Sequence, residues 1–279
     1  MMRKILLPIL IAFVLVLSSF TPALAVTGGQ PDNNGHPYGA LLLVPGYTFC
    51  SGTLIDEYVI LTAAHCTSFW EENDLTVYVS FDPYASVDPD TWEITGGTWY
   101  TADTFVTHPD YVDADWPYTA DYGLVLLDEP VMGIAPAVLP SPYLLDDLVG
   151  TTGQTEYRFM DVGYGVSGVD KFKGWPPYLS HVDFIRRVSI QRFNPSVNTQ
   201  PYWFMLQNVP NAQFGGACGG DSGSGIFPVA EDPLGDTVVA VHTGGYRMGW
   251  EGQLCGRKTS LNHRVDLPFV LDWIALYID

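Results

Sequence analysis

Apolar residues in this chain occur mostly in short runs, and Pro, Gly, Asn and Asp separate these runs. Apolar or alternating runs of this length, bounded by turn-forming residues, are typical of β-strands. The predicted strands are Ala40–Val44, Val59–Thr62, Leu75–Phe81, Leu124–Leu127, Phe159–Val162, Val182–Ile190, Trp203–Leu206 and Thr237–His242. The pattern therefore predicts an all-β sandwich or barrel.

The C-terminal segment, 266–279, follows a different period. Its apolar positions are Leu267, Val270, Leu271, Ile274 and Ile278. This spacing places them on one face of a helix, and the preceding Asp266 is a candidate N-cap. We therefore expect an amphipathic C-terminal helix.

The N-terminal segment, 1–25, has the three parts of a secretory signal peptide. Arg3 and Lys4 precede an apolar run from Ile5 to Phe20, and the small residues of Ala23–Ala25 follow it. A membrane anchor is the alternative interpretation, but the run is shorter than the roughly 20 residues that span a bilayer. We expect cleavage after position 25 and export of the remaining chain.

The composition excludes several classes of partner. The chain has 31 Asp and Glu against 12 Lys and Arg, a formal net charge of −19. Nucleic acids and anionic membrane surfaces are bound through basic patches, which so few cations cannot easily supply. A hydrophobic content of 47% with 15% charged residues predicts a compact globular protein instead of a disordered one.

The glycine-rich stretch Gly219–Ser224 presents Ser222 as a candidate nucleophile. Its glycines allow backbone amides to approach a reacting carbonyl, so the N–H groups of Gly220 and Ser222 are candidate donors of an oxyanion hole. By itself, Gly-Asp-Ser-Gly is also an ordinary loop composition. A Gly-x-Ser-x-Gly esterase elbow fits less well, because Asp221 precedes the serine and the order of the other residues differs.

A serine nucleophile needs a base to take its proton and a third group to orient that base. His65, in Leu61–Cys66, is the candidate base, and Asp121 is the candidate orienting carboxylate. The other acidic residues near it in sequence are Asp110, Asp113 and Asp115. We choose Asp121 because an apolar strand follows it and would hold a buried carboxylate.

Three motifs in the order His, Asp, Ser resemble those of the chymotrypsin-like (trypsin-like) serine endopeptidases. The resemblance implies two six-stranded antiparallel β-barrels around an active-site cleft, followed by a C-terminal α-helix. It also implies the catalytic roles of His65, Asp121 and Ser222. The implied divisions are a signal peptide over 1–25, an N-terminal barrel over 26–137 with His65 and Asp121, a linker over 138–150, a C-terminal barrel over 151–265 with Ser222, and a helix over 266–279.

Four cysteines in an exported chain admit three disulfide connectivities. The resemblance implies the pairs Cys50–Cys66, beside the catalytic histidine, and Cys218–Cys255, beside the specificity pocket. The second spacing is longer than usual and predicts an enlarged loop between Gly244 and Gly256. A metal site built from these cysteines fits their spacing poorly, and we expect no metal and no cofactor.

Cleavage after position 25 would create an N-terminus at Val26, in Val26–Gly29. This resembles the Ile/Val-Val-Gly-Gly start of mature family members, whose amino group pairs with the Asp that precedes the catalytic serine. The resemblance implies a pair between Val26 and Asp221, formed when the signal peptide is removed. A plain exposed terminus is the alternative.

The residues that would contact the substrate are Gly216, Ala217, His242, Thr243, Gly245 and Ser260. Trypsin carries an Asp at the position of Gly216, so the departure predicts poor cleavage after Arg or Lys. The segment around His242 is similar to that of glutamate-specific bacterial relatives, whose His helps to bind the substrate carboxylate. A histidine that only fills the pocket wall beside Ser260 is the alternative, and it would leave a preference for uncharged side chains.

The sequence thus predicts a secreted, monomeric serine endopeptidase that acts on polypeptides without a cofactor, does not bind nucleic acid, and does not bind membranes once the signal peptide is cleaved. The alternative function is a catalytically silent homologue that binds partners. Substitution of a triad residue would favour that alternative, and none is substituted. The remaining histidines, which we expect to be structural or at the surface, are His36, His108, His181 and His263.

Overall fold

The computed structural model describes residues 29–149, 157–167, 182–193, 202–207, 215–230, 234–245 and 259–278. Within these ranges the fold consists of two antiparallel β-sheets and short helices. Each sheet curves into a barrel of six to seven strands, which confirms the predicted all-β class and the two-barrel architecture.

The first barrel has the strand order β6-β5-β2-β3-β4-β8-β7. Its strands are β2 (Gly39–Val44), β3 (Thr48–Asp56), β4 (Val59–Thr62), β5 (Val77–Ser80), β6 (Tyr100–Ala102), β7 (Thr104–Thr107) and β8 (Gly123–Leu126). β6 and β7 lie at opposite ends of this order but are separated in sequence only by Asp103. The chain itself therefore closes the barrel at this point.

The second barrel has the order β1-β10-β11-β14-β13-β12-β9, and β9 also pairs with β10. Its strands are β1 (Gln30–Pro31), β9 (Arg158–Gly163), β10 (Arg187–Phe193), β11 (Trp203–Gln207), β12 (Gly225–Pro228), β13 (Ala240–Gly245) and β14 (Thr259–Arg264). The β9–β10 pairing closes a ring of six strands. The short β1, from the start of the described chain, is added outside this ring on β10.

Three helices accompany the barrels: α1 (Ala64–Glu72), α2 (Leu144–Val149) and α3 (Pro268–Ile274). The predicted C-terminal helix is present, but the prediction that Asp266 caps it is wrong, because the N-cap is Leu267, which makes no side-chain cap. The Asp266 carboxylate instead accepts a hydrogen bond from Leu145 N at 2.7 Å and pairs with Arg264. Its charge therefore holds α2 against β14.

The apolar side of α3 completes the largest core. Val270, Trp273 and Ile274 are buried in the same cluster as apolar residues of β2, β4, β5 and β8. The ring of His108, just after β7, lies 4.8 Å from the Trp273 ring. The C-terminal helix thus stabilises the barrel that is formed by the first half of the chain.

A fully buried cation links the two barrels. The Arg186 guanidinium donates hydrogen bonds to the carbonyl oxygens of Gly39 at 2.9 Å and Phe81 at 2.8 Å in the first half of the chain. It also pairs with Asp32 at 2.8 Å. The predicted strand over 182–190 begins only at Arg187, because the Arg186 backbone bonds elsewhere: its N–H donates to Pro83 O at 2.8 Å and its carbonyl accepts from Asp32 N at 2.9 Å.

Among the helices within the described ranges, none has the length and apolar character needed to cross a bilayer.

Candidate active site

His65 and Asp121 come from different elements of the first barrel and meet at one end of it. His65 is the second residue of α1, and Asp121 lies two residues before β8. His65 Nδ1 lies 3.0 Å from Asp121 Oδ2, and the backbone N–H of His65 donates to Oδ1 at 2.9 Å. The carboxylate is therefore bound both to the imidazole and to the backbone that carries it, which fixes the ring orientation.

The electrostatics of this pair suit a histidine that gains a proton. The Asp121 side chain is fully buried, whereas the His65 side chain is 30% exposed and so can be reached. Burial alone would lower the pKa of His65, but the charge and hydrogen bond of Asp121 raise it above its ordinary value. Burial likewise tends to raise the pKa of Asp121, and the imidazole outweighs this and keeps the pKa low.

The competing acidic residues Asp110, Asp113 and Asp115 are exposed. Asp113 and Asp115 form a 3-10 turn, and Asp113 adds a further, smaller upward contribution to the pKa of His65. Solvent screens an exposed carboxylate strongly, so these residues cannot replace the buried Asp121 as the orienting group.

The turn that carries Ser222 packs against the start of α1. Gly223 has a φ of +84°, and a methyl group there would overlap the Thr62 hydroxyl and come within 3.0 Å of Ala63 N. Thr62 and Ala63 directly precede the helix that contains His65. The turn that carries the half-buried Ser222 therefore packs against the segment that leads into the helix of His65.

Gly220, one of the two candidate oxyanion donors, also has a backbone that requires glycine. Its φ is +90°, and a side chain would overlap the ring of Phe49. Within the part of the chain that the structure describes, neither Gly220 N nor Ser222 N donates a hydrogen bond, whereas Asp221 N, Gly223 N and Ser224 N all do. These two N–H groups can therefore donate to a substrate oxygen.

Asp221 is buried against a second carboxylate. It accepts hydrogen bonds from Gly165 N at 2.7 Å and Cys218 N at 2.8 Å. Asp161, in β9, accepts from Ser224 Oγ at 2.6 Å. Burial, and for Asp221 also the charge of Asp161, raise the pKa of each carboxyl group to about 7. Val26, the partner expected for Asp221, lies outside the described residues.

His242 is buried in β13 opposite Asn262 in β14. Its Nδ1 lies 3.2 Å from Asn262 Oδ1, and the Asn262 amide nitrogen lies 3.3 Å from the Ser260 hydroxyl. The amide oxygen therefore accepts from the histidine, so Nδ1 carries the proton. Burial lowers the pKa of His242, which makes the neutral form with an unprotonated Nε2 the relevant one near neutral pH.

Among the other predicted substrate contacts, Thr243 and Gly245 lie in β13 and Ser260 lies in the adjacent β14. Thr243 is buried, and its hydroxyl lies 2.8 Å from Nδ1 of His263, whose Nε2 donates to Thr119 O at 2.9 Å. The Ser260 hydroxyl is used inside the barrel, where it donates to Gln191 at 2.6 Å. Gly216 and Ala217 are buried before the Ser222 turn, and Gly245 is half-buried.

The described residues include the disulfide between Cys50 and Cys66. It joins β3 to α1 beside His65, as the resemblance implied. Cys218 is also disulfide-bonded, and Cys255, the partner that the resemblance implied, lies outside the described residues. The predicted enlarged loop and His181 also lie outside them. In the described part of the chain, no group of three or more His, Cys, Asp or Glu side chains is arranged to hold a metal.

The sequence profile of the Trypsin family matches residues 25–256 of this chain. The match covers most of the chain and agrees with the two-barrel fold. The chain therefore belongs to the trypsin family of serine proteases.

Individual relatives are similar over shorter stretches. A trypsin of Saccharopolyspora erythraea is 32% identical over 108 residues, 38% of this chain and 43% of the relative. The clotting factor G beta subunit of Tachypleus tridentatus is 26% identical over 220 residues, 72% of this chain and 65% of the relative. The snake venom serine protease KN11 of Trimeresurus stejnegeri is 57% identical over 42 residues, 15% of this chain and 16% of the relative. This chain thus spans less than two thirds of the length of each.

Sequence reasoning assigned no role to two polar residues of this region, Asp161 and Asn262. Two weak signals were available. Asp161 interrupts an otherwise apolar predicted strand, and Ser260 and Asn262 alternate with the period of a strand. Neither signal identifies a partner, because the contacts of these residues join segments that are far apart in sequence.

We predict that Asp161→Asn stabilises the protein more at pH 8 than at pH 5. Asn has the shape of the protonated acid and can keep contacts to Ser224 and Gln191. The pKa of Asp161 is raised above its unfolded value, so the wild type loses stability as pH rises from about 4 to about 7. The variant should lack that loss.

Thermal unfolding at both pH values measures this difference. For a domain of this size, 1 kcal/mol corresponds to about 2–4 °C in Tm, and we expect a gain of at least that size at pH 8. Asp115→Asn, which removes an exposed carboxylate, is the matched control. If the difference in Tm between the variant and the wild type is the same at both pH values, ionisation of Asp161 does not destabilise the folded protein.

Proposed function

We propose that this chain is an active serine endopeptidase that hydrolyses peptide bonds through Ser222, His65 and Asp121. The observation that carries the proposal is the hydrogen bond between a reachable His65 and a fully buried Asp121, next to the turn of Ser222. The serine, histidine and aspartate are the residue types that a nucleophile, its base and the orienting group require, which supports an enzyme over a catalytically silent homologue.

The arrangement supports the following reaction, with roles carried over from the family. Ser222 Oγ attacks the peptide carbonyl while His65 Nε2 takes its proton, and Asp121 stabilises the imidazolium through Nδ1–H. The N–H groups of Gly220 and Ser222 would donate to the oxyanion. His65 then gives its proton to the leaving amine, which leaves an acyl-enzyme. Water, activated by the same histidine, hydrolyses this ester and restores Ser222.

The proposed substrate preference is for side chains other than Arg and Lys. Gly216 and Ala217 offer no carboxylate to a buried cation. In its neutral form His242 presents an unprotonated Nε2, which cannot donate to a substrate carboxylate. Recognition of Glu would therefore require His242 to take up a proton, so uncharged side chains fit the unliganded site better near neutral pH.

We also infer that the protein is secreted and that signal-peptide cleavage exposes Val26 as an activating amino group. Two buried carboxyl groups, Asp161 and Asp221, support this inference, since no Lys or Arg of the described ranges pairs with either of them. A cation from elsewhere would stabilise their ionised forms.

We predict that Ser222→Ala lowers kcat on the order of a million-fold, because the nucleophile and its base act as a unit.

Asp121→Asn should lower kcat by about 10⁴-fold through loss of the favoured tautomer, and should move the acid limb of the pH profile to lower pH. Steady-state kinetics measure both effects. Asp115→Asn is the control and should stay within about twofold of wild type. Full activity in Ser222→Ala would contradict the mechanism, and an inactive wild type would favour the silent homologue.

We predict that kcat/KM on matched peptides near pH 7.5 is lowest for Arg and higher for Phe or Ala in the position before the cleaved bond. Any cleavage after Glu should increase relative to Phe as pH falls, because His242 gains its proton only at lower pH. A clear preference for Arg would refute the pocket argument. A Glu preference that is independent of pH would contradict the inferred tautomer of His242.

We predict that the secreted protein begins at Val26 and is active without a further protease. N-terminal sequencing of the secreted protein and an activity assay decide this. One residue added before Val26 should lower activity, because it would leave the carboxylate of Asp221 without its cation. Full activity in a protein with a longer N-terminus would show that the buried amino group is not needed here.

A further inference from the structure

Ser51 lies fully buried in β3, on the side of the first barrel that faces the Ser222 turn. Its backbone N–H donates to Ser222 O at 2.8 Å, and its carbonyl accepts from the Thr62 hydroxyl at 2.8 Å. Its hydroxyl donates to Gly220 O at 2.9 Å and accepts from Tyr164 N at 2.9 Å. One residue of the first barrel thus binds two segments of the second.

Hydrogen bonds from Val166 and Ser51 fix the peptide planes on the two sides of Gly220. The carbonyl of Gly219 accepts from Val166 N at 2.8 Å, which orients the peptide that contains Gly220 N. The Ser51 hydroxyl holds the following peptide through Gly220 O. Glycine has more backbone freedom than any other residue, so contacts from outside the loop must define the direction of its N–H.

We propose that the Ser51 hydroxyl is a positioning group that sets the oxyanion hole. It does not touch the substrate and acts through Gly220 and Tyr164. The inference deepens the proposed proteolytic function and rests on it. A serine that only satisfies buried polar groups is the competing explanation, and it would affect stability without a selective effect on the transition state.

The test is Ser51→Ala, with Ser80→Ala as the matched control. Ser80 is equally buried in the first barrel, and its hydroxyl also accepts a backbone hydrogen bond, from Asp82 N at 3.2 Å. Loss of a direct oxyanion donor costs about 10²–10³ in kcat. Loss of its anchor should cost less, so we expect kcat to fall about 10- to 100-fold in Ser51→Ala with KM within about threefold.

A second readout does not depend on turnover. Amide hydrogen exchange of the ¹⁵N-labelled protein should accelerate at Tyr164, Asp221 and Gly223 in Ser51→Ala and remain near wild type in Ser80→Ala. Affinity for a peptide boronate, which forms a tetrahedral adduct on serine, should fall in parallel with kcat.

The outcomes separate the two claims. Unchanged kcat and boronate affinity in Ser51→Ala overturn the positioning role, as does an equal change in Ser80→Ala. Exchange that accelerates to a similar extent throughout the protein, instead of selectively at these amides, also overturns it. The effect would then be one of global stability. A wild type that hydrolyses nothing, combined with selective acceleration at these amides, refutes the proteolytic function while the anchoring by Ser51 stands.

Discussion

The structure of the site depends on two completely buried carboxylates, Asp121 in the first barrel and Asp221 in the second. Both require hydrogen bonds from the surrounding protein. A buried charge costs several kcal/mol unless polar groups compensate it. Asp121 obtains this compensation from the backbone and ring of His65, which brings α1 and the segment before β8 together. Asp221 obtains it from Gly165 N and Cys218 N, which holds the turn before Ser222 against β9.

Two glycines beside Asp221 are required because the backbone must approach this buried carboxylate closely. A side chain on Gly163 or Gly165 would overlap the Asp221 carboxylate, so the backbone can approach the charge only where no side chain intervenes. The turn of Ser222 has little side-chain bulk of its own for packing. Its position is therefore determined by its neighbours, and Ser51 from the first barrel donates hydrogen bonds to two of its carbonyl oxygens, those of Gly220 and Ser222.

The family and the two-barrel architecture could be predicted from the sequence alone. Short apolar runs predict the strands because alternation and turn residues are local properties, and the order of three motifs carries the resemblance. Polar contacts between residues far apart in sequence cannot be recognised from a local pattern. Ser51 and Gly220 are 169 positions apart, and nothing in the sequence around Ser51 indicates that its hydroxyl reaches the loop. The wrong capping role of Asp266 has the same origin, since Arg264 and Leu145 N bind it in the folded chain.

The chain belongs to the trypsin family, and the substrate preference that we propose rests on the hydrogen bonds around His242. Asn262 orients the histidine so that its proton lies on Nδ1, and burial keeps the ring neutral. In the specificity that we propose, recognition of Glu requires this buried ring to take up a proton.

Covalent labelling of the wild-type protein with a fluorophosphonate, followed by intact-mass measurement and peptide mapping, tests the proposed triad most directly. We predict one adduct per folded molecule, located on Ser222, and none on protein unfolded in urea, because the serine is reactive only when His65 and Asp121 are assembled beside it. An unlabelled folded protein, or an adduct on a different serine, would contradict it.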